Sequence, residues 1–172
     1  MRDNGELDSL DIRLATTEDS RDIIQLLKEI AQWMKDKGID QWRFLLEGGD
    51  DEEIHQAVCN QETYRVSDGD GVAATFTLLS RPSEWDRHIW GADDPPGTLY
   101  LHRLAVAPDF MGKGLGRQLL NWIENEVRDH DHIRLDCVED NEKLNSFYRD
   151  HGFEYVGLTD GHCKYQKRIK RT

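Results

Sequence analysis

The sequence predicts an α/β fold, α+β in the sense that its sheet is mixed, and three observations carry the prediction. Apolar residues at helical spacing alternate along the chain with short runs rich in β-branched and aromatic residues. The two kinds of segment interleave rather than segregate, which asks for helices packed on a sheet. One stretch, Thr98 to Arg117 (TLYLHRLAVAPDFMGKGLGR), passes from an alternating strand through a glycine-rich loop into the start of an amphipathic helix. At 172 residues the chain is long enough for one buried core and too short for two ordinary domains, so one domain over residues 10–170 is expected.

Ile12 to Ala15 reads as a short strand, and Thr16 or Thr17 can cap the helix that follows. Ile23, Leu26, Leu27, Ile30 and Met34 recur at helical spacing, with Gly38 as the stop. A second helix is expected from Asp51 to Cys59. Thr63 to Val66 and Val72 to Leu79 read as a hairpin around Asp68-Gly69-Asp70-Gly71, with Thr75, Phe76 and Thr77 favouring strand. Arg81 to Gly97 reads as a loop with a helical turn containing Trp85, His88 and Trp90. After the Thr98 to Ala107 strand, Leu115, Leu119, Trp122, Ile123 and Val127 form the stripe of a helix ending near Asp129. His132 to Val138 is the next strand, Glu142 to Asp150 the next helix, and Phe153 to Val156 and Cys163 to Ile169 the closing strands.

The glycine loop has the construction of an anion site. Gly112, Gly114 and Gly116 permit positive φ and leave no Cβ in the way, so successive N–H groups can turn to one point, toward which the helix beginning near Leu115 aims its positive end. A P-loop would need Gly-Lys followed by Ser or Thr, and Lys113 is followed by Gly114. A dinucleotide fingerprint would need a further glycine where Arg117 stands.

The segment closely resembles the acetyl-CoA-binding motif of the GNAT N-acetyltransferase superfamily, in which a strand ending in a Leu-Ala-Val-like triplet is followed by Gln/Arg-x-x-Gly-x-Gly/Ala. Here the triplet is Leu104, Ala105, Val106, and the loop is Met111, Gly112, Lys113, Gly114, Leu115, Gly116, with Arg117 after it. Met111 departs from the usual Gln or Arg, at a place where main-chain N–H groups do most of the binding. Downstream, Asn141, the pair Phe147 and Tyr148, and the pair Gly152 and Phe153 match the family's Asn-x-x-Ala-x-x-x-Tyr…Gly-Phe signature, with Leu144 for the alanine. The resemblance implies the acyl-CoA N-acyltransferase (GNAT) fold, β-α-α-β-β-β-α-β-α-β-β with splayed central strands, and acetyl-CoA as cosubstrate.

It also implies roles. Main-chain groups of Leu104 to Val106 would bind the pantetheine arm and polarise the thioester, with the N–H of Val106 or a neighbour in an oxyanion-hole-like position. Tyr148 matches the general acid beside the CoA sulfur, and Asn141 would bond the pantetheine, cap a helix, or both. Without the motif, Tyr148 reads better as a core tyrosine beside Phe147.

The base is open. Tyr100, His102, Leu104 and Val106 alternate onto one strand face, so His102, of a residue type that titrates near neutrality, lies on the motif strand. Arylalkylamine N-acetyltransferases, a branch of the superfamily, are similar in this Leu-His-x-Leu-Ala-Val setting. His102 is the candidate base or relay member, a cross-sheet structural histidine the alternative, and Asp136, Glu139 or water the rivals.

Cys137 as an acetyl acceptor is disfavoured by its acidic neighbours, and His130-Asp131-His132 lacks a third ligand at supporting spacing, so no metal is expected. Trp33, Trp42, Phe44, Trp85 and Trp90 lie in segments that border the acceptor groove in this family, where cation-π contact with an amine competes with ordinary packing.

Composition narrows the partners. The net charge is −12, and because the last ten residues hold five Lys/Arg and no Asp/Glu, the rest carries 17 basic against 34 acidic residues, a net −17. Nucleic acid is therefore not the expected ligand; the acidity reads first as serving solubility, with steering of a cationic amine as the alternative. No apolar run suits a membrane span or a signal peptide, so a cytoplasmic protein is expected. Cys59, Cys137 and Cys163 read as reduced, buried thiols. The function expected is transfer of an acetyl group from acetyl-CoA to a primary amine of a small molecule, amino-acid derivative or peptide, by direct attack in a ternary complex. A catalytically weak acyl-CoA-binding sensor and a protein N-acetyltransferase are the alternatives, and a homodimer is left open.

Overall fold

The computed structural model describes residues 10–39, 46, 48–69 and 71–169. The elements are β1 (Asp11–Leu14), α1 (Ser20–Asp36), α2 (Asp51–Cys59), β2 (Thr63–Asp68), β3 (Gly71–Leu79), α3 (Glu84–Trp90), β4 (Thr98–Val106), α4 (Leu115–Glu126), β5 (His132–Val138), α5 (Glu142–Asp150), β6 (Glu154–Thr159) and β7 (His162–Arg168). The strands form a seven-stranded mixed sheet in the order β1-β2-β3-β4-β5-β7-β6. This is the expected order with one addition: the turn containing Trp85 and His88 is a full helix, α3. Asp70 of the hairpin turn, and Trp42 and Phe44, lie outside the described residues.

The chain divides into two compact units, Met1–Thr77 with Arg103–Leu119, and Leu78–His102 with Leu120–Thr172. In the first, α1 buries Ile23, Leu26, Leu27, Ile30, Ala31 and Met34 against Ala15, Ile54, Val58 and Ala105. Each fully buried Leu or Ile contributes roughly 1.5–3 kcal/mol. Thr16 starts a 3-10 turn, Thr17–Asp19, that leads into α1: its N–H and Oγ1 both donate to Asp19 Oδ2, at 2.8 and 3.2 Å. Gly38, at φ +79°, ends the helix and donates its N–H to Lys35 O. β2 pairs antiparallel with both β1 and β3.

In the second unit β7 pairs antiparallel with β5, from His132↔Arg168 to Val138↔His162, and with β6. The parallel pairing of β4 with β5 runs only from Thr98↔His132 to Tyr100↔Arg134. Leu101 and His102 lie past its last pair, which is the splay the family fold implies.

Four expectations need correction. Arg103 has φ +51°, so β4 is not evenly extended and the alternation of Tyr100 and His102 with Leu104 and Val106 is interrupted between them. Gly116 is helical, in the first turn of α4, and does not use the positive φ open to it. Trp122 and Val127, expected in the buried stripe, are only half-buried, whereas Leu120 is buried as Leu115, Leu119 and Ile123 are. All three cysteines are free, but only Cys137 and Cys163 are buried; Cys59 is exposed on α2.

Candidate active site

In the first unit the predicted anion loop leaves β4 through a 3-10 turn, Pro108–Phe110. Met111 closes that turn by donating its N–H to Pro108 O at 3.2 Å, and its side chain packs against the unit's core. Met111 therefore anchors the loop, and its N–H is already engaged. Gly112 and Gly114 follow at φ +77° and +80°, and no atom lies within 4 Å of where a Cβ on either would stand. Gln118 N–H bonds to Gly114 O at 3.2 Å, so the N–H groups of Leu115, Gly116 and Arg117 precede the first rung of the α4 ladder and point out of the helix start. Lys113 and Arg117 are exposed beside them, with Lys113 Nζ 5.8 Å from the Phe110 ring centre. Of the triplet, Ala105 is buried and Leu104 and Val106 are half-buried, while the next N–H, of Ala107, is taken by Ala73 O at 2.8 Å.

The second unit gathers a polar cluster around His102. His102 Nε2 lies 2.9 Å from Asp86 Oδ2, and the Asp86 side chain is 2% exposed. Asp86 is the third residue of α3, and Oδ2 also accepts from Ser83 N–H at 2.9 Å and Ser83 Oγ at 3.0 Å, while Asp86 N–H donates back to Ser83 Oγ. This is a capping box, and it begins α3. Asp136, two residues beyond the last β4–β5 pair, accepts from Trp85 Nε1 at 3.0 Å and lies 3.0 Å from His162 Nδ1. Asp86, His102 and Asp136 each offer one ligand atom within 4.8 Å of the others. Asp86 is the member that motif reading missed; the spacing Ser83-x-x-Asp86 was its available signal.

Tyr148 sits on α5, and Asn141 is that helix's N-cap, its side chain accepting from Leu144 N–H at 3.1 Å. Tyr148 is 5% exposed, between Phe147 and Phe153. Burial, with the nearby Cys137 and Asp136, pushes its phenol well above the ordinary range, so it stays protonated at neutral pH. Tyr100 and Tyr165 are also buried, but their hydroxyls donate to Asp94 and Asn145. Among the described residues the Tyr148 hydroxyl makes no hydrogen bond.

The remaining candidates separate clearly. Glu139 is exposed past the end of β5. Cys137 is buried, and that burial, reinforced by Cys163 and Asp136, pushes its thiol up to about 12. His130 pairs with its exposed neighbour Asp129. Trp85 belongs to the cluster around His102, but Trp90 already stacks on a cation of the chain, Arg134, whose guanidinium carbon is 4.2 Å from its ring centre. Trp33 packs on the core of the first unit, with Lys37 Nζ 5.7 Å from its ring centre.

Residues 42–153 match the family model described as Acetyltransferase (GNAT) family. The chain is 40% identical over 158 residues to the uncharacterized N-acetyltransferase YesJ of Bacillus subtilis (strain 168), covering 90% of this chain and 88% of that protein. A GNAT-family acetyltransferase of Listeria monocytogenes superposes with a TM-score of 0.79 at 31% identity, covering 93% of this chain and 95% of that one. The PaiA N-acetyltransferase of Thermoplasma acidophilum, crystallised in complex with coenzyme A, shares the fold, with a TM-score of 0.73 at 18% identity and coverage of 92% and 98%. The chain belongs to the GNAT family of acetyltransferases. No helix among the described residues is long and apolar enough to cross a membrane.

Proposed function

We propose that this acetyltransferase uses acetyl-CoA to acetylate a primary amine of a small molecule, amino-acid derivative or peptide by direct attack in a ternary complex. Bound acetyl-CoA supplies a thioester activated toward amines. The Gly112 to Arg117 loop fits its pyrophosphate: Gly112 and Gly114 open the cradle, the N–H groups at the start of α4 face it, and Lys113 and Arg117 give a local positive patch on a chain of net charge −12. Main-chain groups of Leu104 to Val106, together with Asn141, are assigned to the pantetheine arm. His102 takes the proton of the amine, and Tyr148 holds the proton for the departing sulfur.

The observation that carries this reading is the Tyr148 hydroxyl. The Tyr148 ring is buried, its oxygen has no partner among the described residues, and that oxygen is not fully enclosed, so it is open to a bound ligand. Direct transfer is favoured over a ping-pong route because a thiol held near 12 is a poor nucleophile at neutral pH.

A panel of amines, with released thiol detected, tests the proposal. The expected result is acetyl-CoA-dependent thiol release with at least one primary amine, intersecting double-reciprocal plots and no acetylated protein by mass spectrometry. Thiol release that ignores every amine, or an acetyl group found on Cys137, would overturn it.

A further inference from the structure

We propose that Asp86 is the positioning residue for His102, holding the imidazole in the tautomer with its proton on Nε2 and leaving Nδ1 as the basic nitrogen. The inference rests on the acetyl-transfer reading above for its kinetic meaning, but its geometry stands on α3 and β4 alone.

Three donors converge on Asp86 Oδ2: Ser83 N–H, Ser83 Oγ and His102 Nε2, at 2.9, 3.0 and 2.9 Å. An oxygen facing a main-chain N–H can only accept from it, and the same oxygen accepts from the imidazole, which requires the proton on Nε2. Among the described residues Nδ1 makes no hydrogen bond, so the basic lone pair is unengaged. The side chains of His102 and Asp86 are 18% and 2% exposed, which leaves bulk water little room to exchange one tautomer for the other.

Asp86 is itself rigidly held. Its carboxylate closes the capping box of α3, so the group that starts the helix also sets the ring. A base that must accept a proton at one atom gains from this, because a ring free to change tautomer would present an N–H there part of the time. The other titratable groups of the cluster are Asp136 from β5 and His162 from β7, which lie 3.0 Å from each other. Trp85 Nε1 holds Asp136 Oδ2, so that carboxylate already has partners other than His102. The same engagement argues against a resident cation on Asp86, His102 and Asp136, since Asp86 is directed at His102 and Ser83, and Asp136 at Trp85.

The test uses the full chain labelled with 15N at histidine, the His102 signals being assigned by their loss in His102→Gln. In the unaltered protein the neutral ring should show its proton on Nε2. In Asp86→Ala no acceptor faces Nε2, and the neutral ring should become a mixture of the two tautomers. Turnover in that variant should fall by roughly 10²-fold or more, by analogy with removing an orienting carboxylate from a catalytic imidazole, with the Michaelis constant for acetyl-CoA nearly unchanged. Adding Asp86→Ala to His102→Gln should cost no further turnover, since the carboxylate acts through the ring.

A mixed or Nδ1-protonated ring in the unaltered protein overturns the proposal, and needs no variant to fold. So does a folded Asp86→Ala protein with full turnover, or additive losses in the double variant. Stoichiometric binding of Zn²⁺ that removes the Nε2 proton also overturns it and assigns the cluster to a metal. If no amine is ever acetylated while the Nε2 tautomer is found and becomes mixed in Asp86→Ala, the acetyl-transfer reading fails and the positioning stands.

Discussion

Tyr165 donates its hydroxyl to Asn145 Oδ1 at 2.6 Å, and Asn145 donates in turn to the carbonyls of Val138 and Asn141, so one phenol on β7 ties β5 to the start of α5. Tyr148, its ring centre 6.1 Å from that of Tyr165, ties nothing in the same way. Two buried tyrosines packed together thus carry different chemistry, and they should respond differently to the same substitution.

Tyr165→Phe leaves Asn145 Oδ1 buried without its donor, and should cost on the order of 1–3 kcal/mol of stability with little change in turnover. Tyr148→Phe removes a hydroxyl that has no partner in the chain. Its melting temperature should hold or rise, while turnover falls at least tenfold, with a smaller effect on the Michaelis constant for acetyl-CoA. Full activity in Tyr148→Phe would reassign the acid.

Gly114→Val tests the loop. At φ +80° a β-branched residue is strained whatever the space around it, so the loop must change path to accept one. CoA affinity measured by calorimetry should fall by tenfold or more, roughly 1.4 kcal/mol. Gly69→Val, at φ +62° next to the β2–β3 hairpin, carries the same backbone strain and should leave CoA affinity alone. Equal affinities in the two variants would remove the loop from the binding site.

Much of this fold is legible in the sequence where a strong local signal meets no competition. The bounds of α2, β5 and α5 come out as expected because apolar spacing, acidic helix starts and β-branched runs agree there. In the glycine loop, the positive φ of Gly112 and Gly114 is legible from residue type alone, while Gly116 is drawn into α4. What escapes is set by tertiary context. Nothing in an arginine announces φ +51°; Arg103 adopts it in a segment where its guanidinium pairs with Glu53 at 3.4 Å. Helix α3 is too short for its periodicity to stand out, although Ser83 and Asp86 mark its start. His102 was visible as a base candidate from strand position, but its partner was not, because 16 residues and a helix separate Asp86 from it in sequence.

Asp19 should govern stability in acid. The hydrogen bond from Arg13, with those from Thr16 and Arg65, holds its carboxyl well below the usual carboxylate range, against the opposing effect of burial. A carboxyl with a depressed folded value contributes stability above its unfolded value, and loses it as pH falls through the folded one. The Arg13 side chain is 42% exposed and its share is screened by water; that of Arg65 is 11% exposed and depends on Asp19 far more. Asp19→Ala should therefore cost on the order of 3 kcal/mol at neutral pH and flatten the acid limb of a stability-versus-pH curve below pH ~4. Arg13→Ala should cost well under half of that. Equal losses in the two variants would mean that the exposed pair matters as much as the buried one.

The alkaline limb should start with the two facing cysteines. Cys137 and Cys163 are register partners across β5 and β7, and burial raises both thiols above their ordinary value of 9.0, Cys137 to about 12 with help from Cys163 and Asp136. The folded chain then binds these protons more tightly than the unfolded one. Their contribution is fully present below the unfolded value and is lost as pH rises toward the folded values. Tyr100, Tyr148 and Tyr165 are raised in the same direction, burial again being the first cause, and their limb begins about one pH unit higher. Thermal melts from pH 7 to 11 under reducing conditions should therefore show a decline that begins near 9 and steepens past 10. In the Cys137→Ala, Cys163→Ala double variant the first part should flatten, leaving the decline to start near 10 with the tyrosines. Each single variant should remove only part of the early slope, since the remaining thiol is still raised by its own burial. An early slope that survives in the double variant would assign the alkaline loss to the tyrosines alone, and the buried thiols would then be packing groups without a part in the pH response.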